Sequence, residues 1–170
     1  MQYAGIGSRR TPLPVLEQMV QIAEQLAHEG WTLRSGGADG ADSAFEEGCD
    51  IANGKKEIYL PWRGFNGSDS PLYKVSGMAF EIARSFHPAW EKLSRGGRLL
   101  MARKCYQVLG ADLNSPADFI ICWTGPGGGT TQALRIAKSR GIPAINMREM
   151  DWKERLDSIL QAFQPSVSPR

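Results

Sequence analysis

Five short apolar runs, each followed by a turn or by a segment of helical periodicity, constrain this chain more than any other feature. The runs are 2–6 (QYAGI), 31–35 (WTLRS), 56–60 (KEIYL), 117–123 (ADFIICW) and 142–146 (IPAIN). Strands separated by helices return in the same direction through crossovers, so the pattern predicts a parallel sheet with helices on both faces. Between the first two runs lies 13–29, where Leu16, Met19, Val20, Ala23, Leu26 and Ala27 recur at helical spacing and Gly30 closes the segment. A second helix is expected over 40–52, with Ala41, Ala44, Phe45 and Cys49 on one face and Asp39 at the N-cap. PWRGFNGSDSP (61–71) reads as a loop over the sheet end, and 75–90, 97–110, 130–140 and 151–163 as further helices. The fold class that follows is α/β, a three-layer sandwich around a mainly parallel sheet of about five strands. One domain over 1–163 is expected, with a loose Pro- and Ser-containing tail at 164–170.

Composition narrows the functional classes. The 20 basic and 18 acidic side chains leave a formal charge of +2, too small for the one-sign field of a non-specific nucleic-acid or membrane binder. An anion site must therefore be local, and the balance argues against nucleic acid as a partner. Cys49, Cys105 and Cys122 show no CxxC spacing, so they read as buried thiols rather than a disulfide or zinc framework. No basic leader or long apolar run is present, which predicts a cytoplasmic protein that does not enter a membrane. His28 and His87 stand apart from any cysteine or aspartate cluster, so no metal site and no cofactor are expected.

Three glycine-containing loops fall where strands end, and in a parallel sheet all those ends share one side, where backbone amides and helix N-termini face a ligand. The first runs Gly5-Ile6-Gly7-Ser8-Arg9-Arg10-Thr11-Pro12. Its glycines allow close backbone approach to a phosphate, Ser8 can donate, and Arg9 or Arg10 can pair with the charge; an ordinary turn with two solvated arginines is the alternative. The second, Arg34-Ser35-Gly36-Gly37-Ala38-Asp39-Gly40-Ala41-Asp42, puts Gly36 and Gly37 before a helix start. Asp39 and Asp42 would hydrogen-bond ribose hydroxyls or hold a basic residue, or else cap the helix and complement its dipole. The third, Trp123-Thr124-Gly125-Pro126-Gly127-Gly128-Gly129-Thr130-Thr131-Gln132, spends backbone entropy on three consecutive glycines, and its threonines can cap the next helix and donate to a phosphate. It lacks the lysine of a P-loop. Trp123 ends a strand at the presumed site and could stack on a base.

Four segments in order resemble one group, the Rossmann-like superfamily that joins LOG-type phosphoribohydrolases, the DNA-processing protein DprA and the SLOG nucleotide-sensing domains. They are GIGSRRTP, RSGGADGAD followed by FEEG, PGGGTTQALRIAKSRGIP, and Met101-Ala102-Arg103-Lys104, which matches the family's RK element; together they span roughly residues 3–146. The resemblance implies a nucleotide-type ligand at the sheet end with Arg103 reaching into the site, against the plainer reading of Arg103 and Lys104 as a solvated helix face. In the phosphoribohydrolases a glutamate stands three residues after the loop threonine. Counting from Thr130, that position here is Ala133, with Gln132 beside it, and neither carries the charge that would stabilise an oxocarbenium-like transition state. Asp39, Asp42 and Glu46 are the substitute carboxylates by location, and Arg103 and Asp39 the candidates for catalysis.

The expected ligand-binding set is thus Gly7, Ser8, Arg9, Arg34, Gly36, Gly37, Asp39, Asp42, Arg103, Trp123, Gly127, Gly128, Gly129, Thr130 and Thr131. The first function expected is capture or sensing of a phosphate-bearing nucleotide or nucleotide-derived signal, such as an ADP-ribose species or a cyclic nucleotide, without turnover. Cleavage of the N-glycosidic bond of a nucleoside monophosphate is the alternative, and DprA-like single-stranded DNA binding the second alternative. The helices at 75–90 and 97–110 are the expected surfaces of a homodimer.

Overall fold

The strand β1 (Gln2–Gly7) is the axis of the fold, because it pairs in parallel on both of its edges. The computed structural model describes residues 1–165; of the expected loose tail, 166–170 lie outside the described residues. After β1 come α1 (Leu13–His28), β2 (Thr32–Ser35), α2 (Ala41–Ile51), β3 (Lys56–Ile58), α3 (Gly77–Phe86), α4 (Arg95–Leu109), β4 (Phe119–Trp123), α5 (Gly129–Ser139), β5 (Ala144–Asn146) and α6 (Trp152–Phe163). The five strands form one all-parallel sheet in the order β3-β2-β1-β4-β5. No described helix is long and apolar enough to cross a membrane.

Alternation along the strands divides the core in two. Tyr3, Leu33, Phe119, Ile121 and Ile145 face α1, α2 and α6, whereas Ala4, Ile6, Ile120 and Cys122 face α3, α4 and α5. Both faces of β1 and β4 are therefore dry, which is why ADFIICW is almost unbroken in apolar character. Each large side chain so buried contributes about 1.5–3 kcal/mol. Trp31 and Phe163 tie α6 to the sheet, with Trp31 edge-on to Phe119 at 5.0 Å and to Phe163 at 5.2 Å.

Side-chain caps set the helix limits in the long insertion. Ser76 Oγ accepts from Ala79 N at 3.2 Å and Ser94 Oγ from Gly97 N at 3.1 Å, so α3 and α4 begin at Gly77 and Arg95 rather than at 75 and 97. Asp39 does not cap α2. It is exposed, and Gly40 at φ 82° is the N-cap; Asp42 reaches back instead and accepts from Ala38 N at 3.4 Å. The two threonines do not cap α5 either. Gly128 is its N-cap, and Thr131 Oγ1 bonds Gly127 O at 2.9 Å.

The pair α1 and α2 crosses closely because Gly48 has no side chain; a Cβ there would fall on the Val20 carbonyl oxygen and 2.8 Å from Ala23 Cβ. Both obstacles belong to rigid groups, so the helices must separate to admit a methyl. Gly48→Ala is expected to cost about 1–3 kcal/mol despite its better helix propensity. Urea unfolding measures this, and a loss within about 0.5 kcal/mol of zero, the range of an inert surface change, contradicts the packing argument.

Candidate functional site

Strand order reverses at β1. The chain leaves β1 towards β2 and β3, then returns to place β4 on the other side, with α1 on one face and α5 on the opposite one. The loops after β1 and β4 therefore part in opposite directions and leave a crevice at the carboxyl ends of the strands. A cleft of about 590 Å³ occupies that place. Its lining includes Gly7, Ser8, Arg9, Asp42, Arg103, Trp123, Gly127, Gly128, Gly129 and Thr130, ten of the expected ligand-binding residues.

The β1–α1 loop is held against β4 and α2. Ser8 N donates to Trp123 O at 3.0 Å, and Ser8 O accepts from Thr11 N, Thr11 Oγ1 and Ala41 N. Ser8 Oγ accepts from Arg10 N at 3.0 Å, which shapes the turn and leaves the Arg9 and Arg10 side chains exposed at the rim. Gly7 is needed for contact rather than for its dihedral angles: a Cβ would stand 2.6 Å from Ala41 Cβ and 3.0 Å from Trp123 O.

On the opposite wall α4 presents two basic residues, buried in different ways. Arg103 is 2% exposed; its Nη1 donates to the carbonyls of Gly36 and of Tyr59, the latter at 3.2 Å, and its guanidinium lies over the Phe65 ring. Its Nε has no partner among the described residues. Lys104 is 8% exposed and makes no ion pair or hydrogen bond among the described residues. It lies against the start of α5: a Cβ on Gly129 would stand 3.1 Å from Lys104 Cε and 3.6 Å from Nζ. The first-turn amides of α5 receive no side-chain cap. An ammonium beside the positive end of a helix is two like fields facing one space, an arrangement that favours an anion between them.

Asp42 supplies the one carboxylate among the cleft-lining residues. Burial pushes its carboxyl above the ordinary range, against the pull of Arg103 and Lys104. The same burial, together with the Arg103 charge, pushes the Lys104 ammonium down to about 8, with Asp42 opposing. Arg103 is likewise lowered by burial, with Asp42 opposing.

Five expected ligand-binding residues are not part of the cleft lining. Arg34 points from β2 to the α4 side of the sheet but away from the cleft, beside Gly110 at the end of α4, where Nε bonds Glu57 Oε2 at 2.9 Å and Nη1 bonds Ser115 O at 2.6 Å. It joins β2, β3 and the turn before β4, a role set by strand alternation that local reading of RSGG could not see. Gly36 serves Arg103, since a Cβ would collide with that guanidinium and with the Gln107 amide. Gly37 and Asp39 line a separate polar depression with Glu46 and Lys56, and Thr131 is bonded within its own turn. Of the substitute carboxylates only Asp42 reaches the cleft, because Glu46 pairs with Lys56 at 2.9 Å. Ala133 is fully buried in the core, and Gln132 Nε2 bonds Ala83 O at 2.8 Å. Among the described residues no cluster of His, Cys, Asp or Glu could hold a metal ion.

Lys104 and Thr124 are cleft residues absent from the expected set. The signal for Lys104 was present: a lysine inside the run MARKCYQVL, whose neighbours from Ala102 to Leu109 are all buried, must aim its charge at a cavity.

No family model matches the sequence, and no curated protein matches it either. Solved structures do. The Moco carrier protein of Chlamydomonas reinhardtii superposes with a TM-score of 0.55 at 17% identity, over 95% of this chain and 83% of that one. TM1055, a structural genomics target, gives 0.54 at 21% identity, over 93% and 81%. DNA processing protein A from Helicobacter pylori, whose single-stranded DNA binding mode its structure describes, gives 0.52 at 17% identity, over 95% and 73%. The expectation against nucleic acid finds no support in these likenesses. At such identities what is shared is the fold, and the chain has the Rossmann-like architecture of the Moco carrier, TM1055 and DNA processing protein A.

Proposed function

We propose that the cleft between the β1 and β4 loops binds a phosphate-bearing nucleotide or nucleotide-derived signal, such as an ADP-ribose species or a cyclic nucleotide, and holds it without turnover. The observation that carries this reading is Lys104, a buried side chain with no partner among the described residues, set against the uncapped start of α5. An ammonium that meets only cleft solvent is poorly hydrated, and an anionic oxygen accepting from Lys104 and the α5 amides would offset that cost. Arg9 and Arg10 at the rim add attraction, and Trp123 offers an aromatic face to a base.

Holding is favoured over cleavage by the residues around the third loop. Ala133 and Gln132 cannot supply a carboxylate, and Asp42 is held by backbone amides at the cleft floor beside two cations. That a molybdenum cofactor carrier shares the fold supports a carrying or sensing role. The phosphoribohydrolase alternative requires release of free base from a nucleoside monophosphate, read by chromatography. Single-stranded DNA binding, suggested by the fold shared with DNA processing protein A and by the exposed Arg9 and Arg10, would show affinity falling steeply with salt.

A thermal-shift screen over mononucleotides, ADP-ribose species and cyclic dinucleotides identifies the ligand class, since binding stabilises the folded state by mass action. Lys104→Met keeps the volume and removes the charge, so affinity for the best binder is expected to fall roughly ten- to hundredfold by calorimetry. Unchanged affinity would place the phosphate elsewhere.

The lowered Lys104 also sets a pH dependence. With a value of about 8 in the free protein, its protonated fraction falls as pH rises, while a bound phosphate raises the value and favours the charged form. Affinity is expected to drop roughly tenfold between pH 7 and pH 9, a window in which the phosphate itself is already fully ionised, with proton uptake on binding near pH 8. Lys104→Met should flatten that profile; a flat wild-type profile would contradict the assignment.

A further inference from the structure

The β4–β5 ladder ends at the pair Cys122 and Asn146, after which β5 turns away and the glycine loop would be left unsupported. The Asn146 side chain continues the ladder by one step. Its Oδ1 accepts from Thr124 N at 3.2 Å and its Nδ2 donates to Thr124 O at 2.9 Å, so the carboxamide does for Thr124 what a further peptide group of β5 would have done. The same Oδ1 accepts from Arg148 N at 3.2 Å, an Asx turn that starts the departure of the chain. The neighbouring turn adds a second prop: the Arg148 guanidinium lies over the Trp123 ring at 5.5 Å and beside Gly125, where a Cβ would touch Nη1.

We infer that Asn146 is a positioning residue, whose carboxamide bridge to Thr124 fixes the direction in which the Gly125–Gly129 loop aims its amides into the cleft. The chemistry is specific to asparagine. Aspartate keeps the acceptor and loses the donor; glutamine is one methylene too long for both bonds; serine is too short. Gly127 and Gly128 need an outside anchor more than most residues, because both sit at positive φ and carry no side chains to pack. The anchor stands outside the cleft: Asn146 is not among its lining residues.

The inference rests on the phosphate reading only in its affinity arm, and its first test needs no ligand. In amide hydrogen exchange of the ligand-free protein, Asn146→Ala is expected to speed exchange at Thr124 and at Gln132 and Ala133, the first α5 amides that bond back to the loop, by roughly tenfold or more, with β1 and the middle of β4 unchanged. Asn146→Asp should fall between wild type and alanine. Exchange at those amides at the wild-type rate overturns the inference, and so does uniform acceleration across the sheet, which would mark Asn146 as merely structural. In the second arm inorganic phosphate is the probe. Asn146→Ala should weaken it roughly threefold to tenfold, the effect of one lost neutral hydrogen-bond bridge, at a temperature where the variant is fully folded. Should the wild type bind no phosphate, the proposed function fails while the exchange result still decides the role of Asn146. If phosphate binds and the alanine variant binds it equally well, the positioning role is rejected.

Discussion

Parallel pairing on both edges of β1 is the constraint from which the rest of this structure follows. A strand with neighbours on both sides and helices on both faces has no water along it, so its residues must be apolar or very small, as Tyr3, Ala4, Gly5 and Ile6 are. Because the chain then moves outward first in one direction and later in the other, the loops that follow β1 and β4 diverge. The cleft is a consequence of that reversal and requires no hollowing of the core. Gly5 shows how close the packing is, since a Cβ there would strike the Phe45 ring.

Within the cleft, three buried charges are arranged around one another. Asp42, Arg103 and Lys104 sum to a single positive charge when all are ionised, and Arg103 spends Nη1 on the Gly36 and Tyr59 carbonyls. Arg103 thus joins α4 to the ends of β2 and β3, and Lys104, near the Asp42 carboxylate, makes no ion pair or hydrogen bond among the described residues. An anchored charge and an unbonded one are in this way carried by adjacent residues of one helix turn. The two side chains leave the same helix about 100° apart, so both border the cleft while Arg103 meets the Gly36 and Tyr59 carbonyls and Lys104 meets the start of α5.

The helix and strand pattern was legible because periodicity is a local property: all eleven expected segments exist, with ends shifted by a few residues. Those shifts have local causes that a hydrophobic pattern does not weigh, such as Ser76 and Ser94 capping α3 and α4. The site was legible to the extent that loops after parallel strands must share one end. On that rule Gly7, Ser8, Arg9, Asp42, Trp123 and the Gly127–Thr130 loop were expected together, and they line one cleft. Arg34 stands outside the cleft despite that rule, because it lies within β2, where its register places it beside Glu57 of β3 and within reach of Ser115.

What the sequence determined by itself is therefore the class of fold, the end of the sheet that carries the loops, and the absence of a glutamate at Ala133. Each depends on residue type and spacing along the chain. Only the tertiary structure decided which polar groups face the cleft. Lys104 rather than Arg103 is left without a hydrogen-bond partner among the described residues, Asp42 rather than Asp39 or Glu46 reaches the cleft, and Asn146, twenty-two residues from Thr124, closes the ladder behind the glycine loop. These outcomes depend on which elements meet across the sheet, and that distance in space has no counterpart in the spacing of residues along the chain.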